Sequence, residues 1–389
     1  MKVAVIIPSY QEADNIAFVV AGIDRGLDKL RRIFPRLEAA IINVDNSSPD
    51  KTSRVFLAEP TRFKKLSFQT KGCPGKGKNL IFFLKKSLKQ YDYFITLDAD
   101  LKSLKPDWIN KLLTPFLNDN QCDFVWPLYK RSRFEGSTTN HFARPFIKAL
   151  FGYDIRQPIA GDFAFSRRLA GQIMSQRLPK TAYRYGIDIL FSIRAMQSAR
   201  HAYQIDLGNK IHKPSFSKLE TMFPQIVLAA VQAISSGPRS GHSPQIFNTI
   251  ASGGISADKI FRHHEQAKMI LIRHLKILSK QIDRSVWLDD SIKIKVKSAL
   301  ANKSLDSGLW SLILASWLAR FVKESPVSSK AADELLSFFA FRAVSFWNEA
   351  RQCTAVETER VINCQTRQID KLVNKKYVLL SSHRSSSRA

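Results

Sequence analysis

The chain has 389 residues, 44% of them apolar, enough to bury a large core in about two domains, which excludes a disordered chain. Its 60 Lys and Arg against 33 Asp and Glu leave a formal charge of +27, which points to anionic partners: polyanions, anionic membrane surfaces or phosphorylated small molecules. The four cysteines Cys73, Cys122, Cys353 and Cys364 lack zinc spacing, no run of about 18 apolar residues is present, and "MKVAVIIPSYQEADNI" reads as a strand and not a signal peptide; the expectation is a cytoplasmic protein with reduced thiols and no stable membrane insertion.

Along the first 130 residues, β-rich runs alternate with helical patterns. "VAVIIP" precedes a helix over 15–34, "AAIINV" one over 52–57, "LSFQT" one over 78–89, and "YFITL" one over 108–117, before "CDFVWPLY". That alternation predicts an α/β fold with a mostly parallel, doubly wound sheet. Residues 131–215 are mixed, with turns at "FEGSTTN" and "QPIAGD". From about residue 216, "LETMFPQIVLAAVQAI", "DKIFRHHEQAKMILIRHLKILSK", "LWSLILASWLARFV" and "AADELLSFFAFRAVSFW" carry helical period. The expected domains are therefore 1–215 catalytic and 216–380 helical, with a Gly/Ser/Pro-rich mobile loop near 235–258 and a disordered tail at 381–389.

The fourth strand runs into Asp98 and Asp100. In an extended chain residues i and i+2 share a face, so both carboxylates project together at the strand's carboxyl end, where open α/β sheets bind ligands. A helix then opens near Pro106, with Asp107 in its first turn and an apolar stripe through Trp108, Leu112 and Phe116. "GCPGKGKN", from Gly72 to Asn79, has a P-loop's glycine and lysine spacing but Asn79 where magnesium needs a hydroxyl. A turn carrying Lys76 and Lys78 can still hold phosphate or ribose, or simply be solvated. "RHHEQAK" fails as a zinc protease motif, since Lys268 stands four after His264.

Four strand ends thus carry polar loops on one rim: "IIPSYQE", "NVDNSSPDKT", "PGKGKN" and "DADL". With "ARP" (143–145), "RQPIAGDFAFSRR" (156–168), "YGID" (185–188) and "DLGNKIHK" (206–213), they resemble the GT-A glycosyltransferases, and within that fold the glucosyl-3-phosphoglycerate and mannosylglycerate synthases. The resemblance covers roughly residues 1 to 215. It implies a nucleotide-sugar-binding mixed sheet and transfer of glucose or mannose from a UDP- or GDP-hexose to glycerate, 3-phosphoglycerate or a similar hydroxy acid. It also implies retention of configuration and dependence on Mg2+ or Mn2+.

Carried over residue by residue, Pro8, Glu12 and Asp45 face the nucleobase and ribose, and Lys76 reaches the ribose or diphosphate. Asp98 lies near the sugar and ribose, with Gly161 and Asp162 against the sugar. Asp100 and His212 bind the metal, a donor set that suits manganese without excluding magnesium. Asp188 holds the acceptor or the hexose hydroxyls, so Asp100 and Asp188 are the expected catalytic pair; without the resemblance, capping a helix is the alternative reading of Asp188. The acceptor is expected at Ser137, Thr138 and Thr139, where Ser137 replaces an arginine of the phosphoglycerate-using enzymes. One neutral hydroxyl grips phosphate less well than a guanidinium fork, so, unless Lys130, Arg131 or Arg133 reaches in, unphosphorylated glycerate or another small hydroxy acid is expected to be used at least as well as 3-phosphoglycerate. Rival readings are the same fold acting on a lipid phosphate or polysaccharide, and a basic nucleic-acid or membrane-surface binding protein; no nucleic-acid module supports the latter. Small-molecule substrates and a homo-oligomer, dimer or tetramer, complete the expectation.

Overall fold

The computed structural model describes residues 1–213, 218–236, 244–248, 254–255, 264–322 and 327–385. In chain order the elements are β1 (Lys2–Ser9), α1 (Ile16–Ile33), β2 (Glu38–Asp45), α2 (Thr52–Ala58), β3 (Lys64–Gln69), α3 (Lys76–Ser87), β4 (Tyr93–Thr96), α4 (Asp107–Asn118) and β5 (Cys122–Arg131). There follow α5 (Arg144–Phe151), β6 (Phe163–Ser166), α6 (Arg167–Met174), α7 (Ile187–Ser198), β7 (His201–Asn209), α8 (Leu219–Ser235) and β8 (Gln245–Asn248). Then come α9 (His264–Gln281), α10 (Asp290–Ala301), α11 (Ser307–Phe321), α12 (Ser329–Gln352) and α13 (Ala355–Ser385).

The chain divides into two compact units that interleave in sequence. The first comprises 1–130, 157–214 and 236–253; the second comprises 131–156, 215–235 and 254–389. Short predominantly apolar strands and distant helices share cores that local pattern cannot assign, which is why residues 131–156 read as part of the first domain.

The first unit is built on a sheet of order β3-β2-β1-β4-β6-β5-β7-β8. β2, β1 and β4 are parallel neighbours, and β6 enters antiparallel between β4 and β5, which makes the sheet mixed. β1 is buried from Val3 to Ser9, as expected of a central strand covered on both faces. Against it, α1 lays Ile16, Val19, Val20, Ile23, Leu27 and Leu30 into a core shared with Trp108, Leu112 and Phe116 of α4. From β1 the chain builds outward to β2 and β3, then returns to place β4 on β1's other side. The carboxyl ends of β1 and β4 therefore flank a topological switch point, the crevice where such sheets take ligands.

The second unit is helical. α12 packs against α8, α9 and α11, and α13 against α5 and α11. Trp310 Nε1 donates to the His141 carbonyl (3.0 Å) and Trp317 Nε1 to the Ala331 carbonyl (3.0 Å), so each buried indole is satisfied. The aromatic-rich run of α12 is core: Phe338, Phe339, Phe341 and Phe346 are all buried. The expected mobile loop falls largely on 237–243, 249–253 and 256–258, outside the described residues; within it β8 pairs parallel with β7. The backbone of α13 continues to Ser385, leaving 386–389 of the expected tail outside the described residues. Among the described residues no helix is long and apolar enough to cross a membrane.

Candidate active site

β4 stops at Thr96, so Asp98 and Asp100 lie beyond the strand, with a turn at 99–100, and the expectation of two carboxylates on one extended face is corrected. The turn is pinned from the β1–α1 loop, where the buried Asn15 donates through Nδ2 to the carbonyls of Ala99 (2.8 Å) and Leu101 (2.9 Å). Its far side pairs with the chain after β7 through a Leu101–His212 bridge and a Lys102 N–H to Ile211 carbonyl bond (2.8 Å). The two aspartates consequently have different partners.

Asp98 is clamped by two lysines. Lys76 Nζ donates to its Oδ1 (2.7 Å) and Lys210 Nζ to its Oδ2 (3.0 Å). Burial opposes ionisation here, but the two ammonium groups outweigh it and hold the carboxyl well below its ordinary range. Lys76 also donates to Asp188 Oδ2 (3.1 Å), and despite burial Asp188 and Asp98 keep it protonated far above the usual lysine range. Asp188 lies in the first turn of α7, whose N-cap is Gly186, so capping is not its task. Among the described residues its buried Oδ1 has no hydrogen-bond partner, and burial pushes its pKa up to about 6 although Lys76 opposes the shift.

Asp100 faces His212, whose Nδ1 stands 3.9 Å from Asp100 Oδ2 and 2.7 Å from the Lys213 carbonyl. Burial, then the charge of Asp98, raises the Asp100 pKa to about 7. Among the described residues no three His, Cys, Asp or Glu side chains gather as a protein-only metal site. A carboxylate and an imidazole brought together, with a surplus of negative charge around them, fit a divalent cation that takes its other ligands from phosphate and water.

Several expected contacts are reassigned. Asp162 is fully buried: Oδ1 accepts the Asp98 N–H (2.8 Å), and Oδ2 accepts Tyr129 Oη–H (2.6 Å) and Lys210 Nζ (2.5 Å). These bonds shape the Asp98 loop. Asp45, 1% exposed, accepts from Ser9 Oγ (3.1 Å), Ser48 N (2.8 Å) and Ser48 Oγ (2.5 Å), so it fixes the rim loop. Pro8 is buried in β1 beside Val44. Glu12 remains at the rim, bound by Lys213 Nζ (2.7 Å). Gly161 has φ +82, and a Cβ there would stand 2.3 Å from Lys76 Nζ and 2.7 Å from the Asp98 carboxylate, so glycine is required. Ser137, Thr138 and Thr139 belong to the second unit, with Ser137 and Thr139 buried.

The P-loop spacing proves structural. Asn79 is fully buried and staples three strand ends: Nδ2 donates to the carbonyls of Val44 (2.6 Å) and Ser9 (3.3 Å), while Oδ1 accepts from Asn46 Nδ2 (2.7 Å) and Thr70 Oγ1 (2.7 Å). At Gly77 a Cβ would meet the Ala182 carbonyl oxygen at 1.7 Å; the glycine admits the 180–184 segment. The sequence reading passed over Lys210, Asn15, Asn79 as a staple, and Tyr10, an exposed ring just past β1. Lys210 stands two residues before His212 within "DLGNKIHK", the one local hint of its place.

This fold, a mixed sheet with strand-end loops converging on an acidic turn and a helical C-terminal region, is of the GT-A glycosyltransferase type. Residues 4–174 match the model of glycosyl transferase family 2. A curated relative, the dolichol-phosphate mannosyltransferase of Pyrococcus furiosus, is 28% identical over 184 residues, 43% of this chain and 47% of that protein, so the chain spans about half the relative's length. Two solved structures of glucosyl-3-phosphoglycerate synthase from Mycobacterium tuberculosis share the fold, each with a TM-score of 0.50 and 23% identity. The one with Mn2+, UDP-glucose and phosphoglyceric acid is matched over 64% of this chain and 88% of that one; the other, with glycerol 3-phosphate as the third ligand, over 63% and 87%.

Proposed function

We propose that the chain is a retaining, divalent-metal-dependent hexosyltransferase that moves glucose or mannose from a UDP- or GDP-sugar to glycerate, 3-phosphoglycerate or a similar small hydroxy acid. The observation that carries this reading is the convergence of Lys76, Asp98, Asp188 and the Asp100–His212 pair at the switch point of the sheet. A divalent cation held by Asp100 and His212 would neutralise the charge that builds on the leaving diphosphate.

The chain's own groups do the rest. Lys76 donates to Asp98 and Asp188 and has a third N–H for a diphosphate or ribose oxygen. Asp188 offers Oδ1 to a hydroxyl of the hexose or acceptor, so a bound sugar satisfies an atom otherwise buried without a partner. Tyr10 presents a ring on which a base can stack, beside Glu12. Both Asp98 oxygens are engaged by lysines, which leaves it unsuited to attack carbon and favours front-face attack by the acceptor hydroxyl beside the leaving phosphate oxygen.

The test incubates the protein with Mn2+ or Mg2+, UDP- and GDP-hexoses, and in parallel glycerate, 3-phosphoglycerate or a dolichyl phosphate, and follows nucleoside diphosphate release. Turnover with a small hydroxy acid supports the reading. Turnover with the polyprenyl phosphate alone would transfer the chain to the lipid-acceptor reading, and none with any donor would end the transferase reading.

A further inference from the structure

Lys210 is 3% exposed and stands just past the end of β7. Its ammonium donates to Asp162 Oδ2 (2.5 Å), the Ala160 carbonyl (2.8 Å) and Asp98 Oδ2 (3.0 Å), with the Tyr129 ring 5.1 Å away. A lysine has three donors, and all three are committed to the protein. Lys210 therefore cannot reach a substrate, unlike Lys76. Its other effect is on charge: once Asp100 and Asp188 have given up their protons, the carboxylates of Asp98, Asp100, Asp162 and Asp188 exceed the two ammonium groups of Lys76 and Lys210 by two negative charges.

We propose that Lys210 is a positioning residue that sets both the geometry and the charge of the cation site. It ties Asp98 to Asp162 and the Ala160 carbonyl, turns Asp98 away from the cation, and leaves the cluster the two negative charges that one divalent ion matches. Without it, a buried carboxylate pair would repel and Asp98 would be free to swing toward Asp100 as a further ligand. The inference rests on the proposed cation role of Asp100 and His212.

Mn2+ binding, read by electron paramagnetic resonance of the free ion and independent of turnover, tests it on Lys210→Met, Asp162→Asn and the double variant. Lys210→Met adds a net negative charge and should bind Mn2+ on the order of tenfold tighter, or take a second ion. Asp162→Asn removes one and should bind on the order of tenfold more weakly. The double variant deletes an opposite pair and should return to within about threefold of the parent. A merely structural lysine would weaken binding in every variant, and that outcome overturns the proposal. Should Lys210→Met not fold, Asp162→Asn and the double variant still decide: unchanged or tighter Mn2+ in Asp162→Asn refutes it. A parent that binds no Mn2+ removes the cation reading and this inference together, whereas a binding parent with the variants in the wrong order removes the inference alone.

Discussion

Replacing Asn79 by serine completes a P-loop spacing in this sequence, and the structure says that the result is a weaker protein and not a nucleotidase. Asn79 makes four side-chain hydrogen bonds while fully buried, two donated to the Ser9 and Val44 carbonyls and two accepted from Asn46 and Thr70. Serine is shorter and can retain at most one of them. Three lost bonds at about 1 kcal/mol each, with buried partners left unsatisfied, give a loss of about 3 kcal/mol. For a first unit of about 200 residues that corresponds to a fall in Tm of about 6–12 °C. The assay is calorimetric unfolding of parent and Asn79→Ser in one buffer, with phosphate release from ATP and GTP followed alongside. A Tm within about 2 °C of the parent would show that the staple carries little energy, and nucleotide hydrolysis gained by the variant would restore the P-loop reading.

Asp100→Ala should lower turnover at least about a thousandfold, because it removes the carboxylate facing the cation; activity within about tenfold of the parent sinks that role. His212→Ala should weaken Mn2+ binding by about tenfold or more with little change in Tm, whereas an equal loss in both would make it a folding residue. Gly161→Ala places a Cβ on Lys76 at φ +82, so UDP affinity should fall about tenfold with a stability loss of about 1–2 kcal/mol; unchanged UDP affinity in a titration removes Lys76 from the nucleotide site. Acidity should compete with the cation: with Asp100 near pH 7 and Asp188 near 6, apparent Mn2+ affinity should fall about tenfold per unit below pH 7 and level off above it, and a flat profile between about pH 5.5 and 8 contradicts the assignment. The same two groups hold protons that the unfolded chain releases from about pH 4 upward, so the metal-free protein should lose stability as pH rises toward 7; Asp98, held far below, stays charged across that window.

The sequence by itself determined the alternation of β1 to β5 with α1 to α4, because strand and helix periods are local and burial on both faces writes "VAVIIP" as a continuous apolar run. It also put the polar loops on one rim, since parallel strands linked by right-handed crossovers must present the same ends together. It could not say which of those polar residues face a ligand and which hold the rim in place. Asp45 and Asp162 read as binding groups, yet their oxygens are taken by Ser9, Ser48, Tyr129, Lys210 and a backbone N–H. Lys210 stood inside "DLGNKIHK" with no role of its own. Tertiary structure alone decided these roles, because a carboxylate's partner depends on which strand lies beside it. β6 brings Asp162 and β7 leads to Lys210 from more than sixty and one hundred residues away, beside the turn that β4 opens. The same dependence on distant packing sent residues 131–156 into the helical unit, where Trp310 seals the His141 carbonyl, a contact no local pattern could announce.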